Sequence, residues 1–248
     1  MAASTQSRLL AEFLGTFGLL LIGGGAAVST LPPIDGTARD AVVSLAFGAV
    51  LLALAYAFGD LSGAHFNPAV TVSLAASDRF KWADVPGYLV AQILGGLVGI
   101  GVVLGIISGG GSAPNAMYAQ GFALGSQCFS GFGAPAGCTY SPAAVFLLEV
   151  ALGFIFILVI QLVTRPESSA KNLAPVAIGM ALLVTNLIAI PIDGASLNPV
   201  RSFSPALVSA LVWPSARWAL AESWMFWIAP IIGGLLAAAA ERILRPHS

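Results

Sequence analysis

Six polar side chains stand in stretches of this 248-residue sequence that are otherwise apolar: Glu12, His65, Asn67, Glu149, Asn198 and Arg201. A charged group at the centre of a hydrocarbon layer costs about 2.5–3.5 kcal/mol even on the lenient scale, so each one needs a reason. Glu12 and Glu149 could relay protons in a coupled transporter. They could instead accept from backbone N–H groups of irregular segments, which at membrane depth must be satisfied by protein or pore water. Their matched positions, in register with a repeated loop motif, favour this second reading: they support the loops. His65 could be a base or a metal ligand, but no second ligand lies near it, and it reads as a pore-lining donor. Arg201 falls on the first turn of a helix, where it opposes the helix dipole, so helix stability is not its purpose. It could be a snorkelling side chain or an ion-pair partner. The favoured reading is a fixed cation and donor at one mouth of a polar path, replacing part of a solute's hydration shell and rejecting cations.

The two asparagines belong to two copies of one motif. Ser62-Gly63-Ala64-His65-Phe66-Asn67-Pro68-Ala69-Val70 is echoed by Gly194-Ala195-Ser196-Leu197-Asn198-Pro199-Val200-Arg201. Asn is a good N-cap, and Pro fits the first helical position, where its missing N–H is not needed. Each copy should therefore start a helix, from Pro68 to about Leu74 and from Pro199 to about Val212. At ~1.5 Å per residue such helices cross about half of a ~30 Å hydrocarbon core. A cap uses the Asn oxygen and leaves the NH₂ group to donate. Where the two caps meet, a water molecule would accept from both and point its own protons outward, which interrupts a proton wire. Two helix N-termini add a positive potential that repels cations. Gly63, Ala64, Gly194, Ala195 and Ser196 are small, and non-helical backbone there would offer carbonyl oxygens to the same path.

The elements that position these residues follow from composition. The chain is 58% hydrophobic and 8% charged, with mean hydropathy +0.92, whereas soluble domains carry about 25% charged residues. It reads as a polytopic membrane protein, in contact with lipid. A net charge of −1 argues against a nucleic-acid partner. Six apolar segments, about 9–30, 40–59, 83–107, 142–164, 173–192 and 221–242, are each long enough to span once. The first is too long for a signal peptide's apolar region and lacks a small-residue cleavage site, so it reads as an uncleaved span. The two motif copies fall in the second and fifth connections, on opposite sides. Arg8, Arg79, Lys81, Arg165, Lys171, Arg242 and Arg245 share one side, with Arg39 and Arg217 on the other, which puts both termini in the cytoplasm. Cys128 and Cys138 then lie outside, where a disulfide is permitted. Paired and free thiols are both compatible with the sequence. No His/Cys cluster suggests a metal, and no cofactor is expected.

The halves repeat. Glu12 and Glu149 lie in similar segments, as do Phe47-Gly48 and Ile178-Gly179, and Gly95-Gly96 and Gly233-Gly234. Three spans per repeat is an odd number, so the copies must insert in opposite orientations, with a permeation or binding site where they meet. The expected architecture is a single all-α membrane domain over 1–248. It has six transmembrane helices plus two re-entrant half-helices, as inverted repeats about 9–108 and 142–242. Gly15, Gly95, Gly96, Gly153, Gly233 and Gly234 are expected at close helix–helix contacts.

With both motifs in place, the whole chain resembles the aquaporins of the major intrinsic protein family, and specifically their bacterial water-channel branch. Ser62 to Thr71 and Ser196 to Ser202 match the family's two Asn-Pro-Ala signatures, Asn67-Pro68-Ala69 and Asn198-Pro199-Val200. Val200 departs from the usual Ala. The resemblance implies a homotetramer with one pore per subunit, in the cell (inner) membrane. It implies a passive water channel that excludes protons and ions, with glycerol or other small neutral solutes as further candidates, and no enzymatic activity. Carried over by position, the narrow filter is Phe47, Asn186, Ala195 and Arg201. Water-selective members have His where this chain has Asn186. Glycerol facilitators resemble Trp at position 47, Gly at 186, Phe at 195 and Asp directly after the Arg, where this chain has Ser202. A glycerol-type facilitator is thus the alternative within the family. An ion-coupled secondary transporter is the alternative outside it. No Ser or Cys nucleophile has a His in a plausible motif, and His247 lies in the C-terminal tail.

Overall fold

The computed structural model describes residues 3–29, 36–109, 124, 126–135 and 137–245, and His247 lies outside them. Among the described residues there are helices and turns and no strand. Helix α1 (Thr5–Leu19) starts at Ser4, whose Oγ accepts from the Ser7 N–H at 3.1 Å. A π-turn over Leu20–Gly24 leads into α2 (Gly25–Ser29), which completes the first span. Then come α3 (Gly36–Ser62), α4 (Pro68–Ala76), α5 (Val85–Ser108), α6 (Pro142–Val163), α7 (Ala174–Asp193), α8 (Pro199–Val212), α9 (Arg217–Glu222) and α10 (Met225–Ile243). Six helical stretches are long and apolar enough to cross a membrane: Thr5–Ser29, Gly36–Ser62, Trp82–Ser108, Pro142–Val163, Lys171–Asp193 and Pro214–Ile243. The protein is a multi-pass membrane protein.

Several features differ from the sequence expectation. Helix α4 runs past Leu74 to Ala76. The sixth span begins at Pro214, because a 3₁₀ turn and α9 precede α10 and carry Arg217 into it. The first span is not a continuous α-helix. Its π-turn presents Gly23 and Gly24 inward; the Phe47 ring occupies the space a Gly23 side chain would need, and Ile100 Cδ1 lies 2.8 Å from where a Gly24 Cβ would sit. Local π-turns of this kind tend to mark functional positions.

The main helix contacts of the first half have counterparts in the second. Helix α1 packs on α5 as α6 packs on α10, α1 on α3 as α6 on α7, and α4 on α10 as α8 on α5, while α3 and α7 pack on each other. Missing side chains allow this approach. A Cβ on Gly48 would meet the Gly179 carbonyl at 2.7 Å, and one on Gly179 would meet the Gly48 carbonyl at 2.6 Å. A Cβ on Gly233 would lie 2.6 Å from the Val150 carbonyl, and one on Gly95 would run into the Phe13 carbonyl.

Burial is inverted relative to a soluble fold. Leu147 and Ile106 are 70% and 67% exposed, whereas Glu12, Gln92, Glu149 and Ser204 are completely buried. Many of the charged residues gather at one end, where Arg8 meets Asp84 at 3.0 Å and Arg165 meets Glu241 at 3.0 Å. There Arg79 also donates to the carbonyls of Gln161 and Thr164, and Arg245 to that of Ser77.

Candidate functional site

The two motif copies form re-entrant loops that end in α4 and α8, and their backbones follow one pattern. Gly63 and Gly194 have φ of +88° and +91°, which glycine adopts without penalty. Ala64 and Ala195, then Phe66 and Leu197, also have positive φ, between 49° and 57°. Non-glycine residues there store strain, which persists only where the surroundings over-determine it. The surroundings are the two buried carboxylates. Glu12 accepts from the N–H groups of His65 (3.0 Å) and Phe66 (2.8 Å), and also from Ser62 Oγ and Gln92 Nε2, both at 2.7 Å. Glu149 accepts from the N–H groups of Ser196 (2.7 Å) and Leu197 (2.8 Å). Each carboxylate therefore holds the two residues that precede an Asn.

Asn67 Oδ1 accepts from the Ala69 N–H at 2.8 Å, and Asn198 Oδ1 from the Val200 N–H at 3.1 Å. Both are N-caps followed by Pro at the first helical position. Their amide nitrogens are not wholly free, as sequence reasoning had them. Asn67 Nδ2 donates to the Leu197 carbonyl at 2.8 Å, and Asn198 Nδ2 to the Phe66 carbonyl at 2.9 Å. Each side chain thus latches the opposite loop with one N–H and retains one for the cavity between them.

That cavity is lined by Asn67, Asn198, His65, Ser196, Phe47, Asn186 and Arg201, with apolar walls from Leu19, Leu51, Phe156 and Leu182. The Arg201 guanidinium sits 4.9 Å from the centre of the Phe47 ring, and its Nη2 donates to the Gly194 carbonyl at 3.2 Å. His65 Nδ1 pairs with Thr71 Oγ1 at 3.1 Å, and its ring packs on Phe80 and Tyr88. Ser196 Oγ pairs with Ser202 Oγ at 2.5 Å in the matching place. Asn186 is 3% exposed, and its amide makes no hydrogen bond to a described residue.

Not every expected site residue reaches the wall. Ala195 is 1% exposed and is not among the residues that line this cavity. Gly63 and Ala64 are not on it either. The Gly194 carbonyl, expected to face the lumen, is taken by Arg201 and by Gln127 Nε2 at 3.3 Å. Pro68, Ala69, Pro199 and Val200 are buried behind the caps. Val200 fits there because Gly96 leaves room, a Cβ on Gly96 coming 2.6 Å from Val200 Cγ1.

Several contributors escaped the sequence reading. Asp193 Oδ1 accepts from the Ala195 N–H at 2.8 Å, and its carboxylate lies beside Glu149 in the field of Arg201. Its signal was a charge at the end of an apolar span followed by Gly. Gln92 and Thr71 bond to each other at 3.0 Å around Glu12 and His65, and Gly23 accommodates Phe47. Outside the helices, Cys128 and Cys138 form a disulfide with Cα atoms 5.6 Å apart.

The arrangement matches known proteins along its length. The family model described as "Major intrinsic protein" matches residues 2–240. Aquaporin Z of Rhodopseudomonas palustris is 38% identical over 241 residues, which are 97% of this chain and 94% of that protein. Aquaporin Z of Bradyrhizobium diazoefficiens is 39% identical over 239 residues, 96% and 93% of the two chains. The X-ray structure of the aquaglyceroporin from Plasmodium falciparum shares the fold, with TM-score 0.83 over 98% of each chain at 24% identity. The chain belongs to the major intrinsic protein family.

Proposed function

We propose that this protein is a passive water channel, driven by osmotic gradients and closed to protons and ions. The observation that carries the reading is the pairing of Asn67 and Asn198 across one cavity, each capping a half-helix and each with one N–H not used by the opposite loop. Two relatives that match this chain almost end to end are Aquaporin Z proteins. A water between the asparagines accepts from both, so its protons point away along the file and cannot be relayed inward. The N-termini of α4 and α8 add roughly half an elementary charge each at that point. Arg201, on the wall beside Phe47, adds a full one. Hydronium and metal cations meet a barrier there, and neutral water does not.

In this reading Phe47, Asn186 and Arg201 form the narrow filter, backed by Ala195. Both termini are cytoplasmic, the protein sits in the inner membrane as a homotetramer, and its halves are inverted repeats of one domain. The paired helix contacts and the matched loop backbones support the repeat.

Asn186 favours a second, wider activity. Its side chain is shorter than the His of the family's water filters and is free to bond a solute. The channel therefore also passes small neutral solutes such as glycerol and urea. Asn186→His tests this in proteoliposomes. Solute entry should fall several-fold while water flux stays within about twofold; solute entry unchanged by the substitution would show that Asn186 does not set solute passage.

A further inference from the structure

We infer that the Cys128–Cys138 disulfide sets the solute cut-off of the channel, by bracing the backbone that holds Arg201. The inference rests on the filter reading above. Three consecutive residues of the external loop are each tied to the fold by a separate bond. Gln127 Nε2 donates to the Gly194 carbonyl at 3.3 Å, the Cys128 N–H to the Asp193 carbonyl at 3.0 Å, and the Phe129 N–H to Glu222 Oε2 at 3.0 Å. The Gly194 carbonyl is also the acceptor for Arg201 Nη2 at 3.2 Å. Gln127 and Arg201 therefore share one oxygen, on a glycine with φ of +91°.

The other end of the brace is equally fixed. The disulfide joins Cys128 to Cys138, and the Ser130 N–H donates to the Tyr140 carbonyl at 2.8 Å. The next residue, Ser141, caps α6, its Oγ accepting from the Ala144 N–H at 3.3 Å. A short covalent path thus runs from the first turn of α6 through Cys138 to Cys128, and the hydrogen bonds of Gln127 and Cys128 carry the brace on to the turn that positions Arg201. A loop tethered only by hydrogen bonds samples more conformations than one closed covalently. With the bond open, the Gln127–Cys128 segment loosens, Gly194 and the guanidinium gain freedom, and the filter admits larger solutes more often. Cys128, Cys138 and Gln127 are positioning residues; none of them touches the solute.

Dithiothreitol opens the bond by two successive thiol–disulfide exchanges. One thiolate attacks a cystine sulfur and releases the other cysteine, then its second thiol displaces the remaining one. The protein gains two electrons and two protons as two thiols, and the reagent closes into its cyclic disulfide.

The test compares water and glycerol permeabilities of oxidised and reduced protein in the same proteoliposomes, with maleimide labelling to count free thiols. Water flux of the oxidised protein must first exceed that of empty liposomes; failure there sinks the channel reading and this inference with it. On full reduction the glycerol-to-water ratio should rise at least threefold, water flux should stay within twofold, and reoxidation should restore the ratio. The Cys128→Ser, Cys138→Ser double variant should show the raised ratio without reductant. An unchanged ratio with both thiols labelled overturns the inference and leaves the channel reading standing. A parallel loss of both fluxes assigns the bond to stability alone and also overturns it.

Discussion

The two re-entrant loops share a backbone and differ in charge. Offset by 131 residues, Gly63, Ala64, Phe66 and Asn67 correspond to Gly194, Ala195, Leu197 and Asn198, with the same left-handed positions and the same caps. In the first loop the support is neutral apart from Glu12. Ser62 Oγ accepts from the Ala64 N–H at 3.1 Å and donates to Glu12, and Gln92 adds another donor. In the second loop, Asp193 stands where Ser62 does and Arg201 where Val70 does. The extra carboxylate and the cation therefore come as a set. The Arg201 guanidinium has two buried carboxyl groups, Glu149 and Asp193, for neighbours. The two loops share one backbone pattern and differ in charge at these few positions.

The largest effect should come from removing the shared feature. Glu12→Ala orphans four buried donors, and a buried polar group left without its partner costs about 1–3 kcal/mol. Against a total stability of roughly 5–15 kcal/mol, the variant should fail to give folded protein. Glu149→Ala, which orphans two N–H groups, should give folded but destabilised protein. The yield of folded protein in detergent, with thermal unfolding of whatever folds, ranks the two; equal yields and stabilities would break the asymmetry.

Next in size is the divergent pair. Arg201→Val makes the second loop resemble the first. It should raise glycerol and urea flux about tenfold, equivalent to ~1.4 kcal/mol off the barrier, and it leaves Asp193 and Glu149 without their cation. Asp193→Ser alone should destabilise by leaving Arg201 less compensated. The double variant should be more stable than the two single effects predict by addition, with a coupling of about 1–3 kcal/mol. Strict additivity in thermal unfolding would show that the two differences arose independently.

The smallest effect concerns the caps' rear contacts. Gly96→Ala would push a methyl group against Ser204 Oγ and Val200 Cγ1, 2.5 and 2.6 Å away. The cost should be about 1 kcal/mol, at the low end for overpacking because side-chain ends can yield. Val200→Ala, which puts the first loop's residue there, should relieve the Val200 part of it and leave the Ser204 part. Gly234→Ala faces the Ala69 carbonyl at 3.0 Å, a backbone atom that no such side-chain change can relieve.

The legible part of this molecule was local. Asn followed by Pro reads as a cap anywhere, and the six spans follow from length and hydropathy. The supporting glutamates stood out because a charge in an apolar segment demands partners. The illegible part was long-range. Nothing in the sequence near Asn67 says that its amide will bond the Leu197 carbonyl, 130 residues away. Gly23 looks like any small residue in an apolar helix until Phe47 is packed against it. The Gly194 carbonyl was read as lumen-facing because its competitors, Arg201 and Gln127, reach it only in three dimensions. Ala195 was placed in the filter by resemblance, and it is not among the residues that line the central cavity.

The central claim is that paired asparagines conduct water while breaking the proton wire. The most direct measurement is stopped-flow shrinkage of proteoliposomes loaded with a pH-sensitive dye, under an osmotic step and then a pH step. Water flux should exceed that of empty liposomes by at least tenfold, with an activation energy near that of free water diffusion. The pH gradient should decay no faster than in empty liposomes. Shrinkage no faster than the empty control, or dye equilibration that accelerates with added protein, would contradict the account.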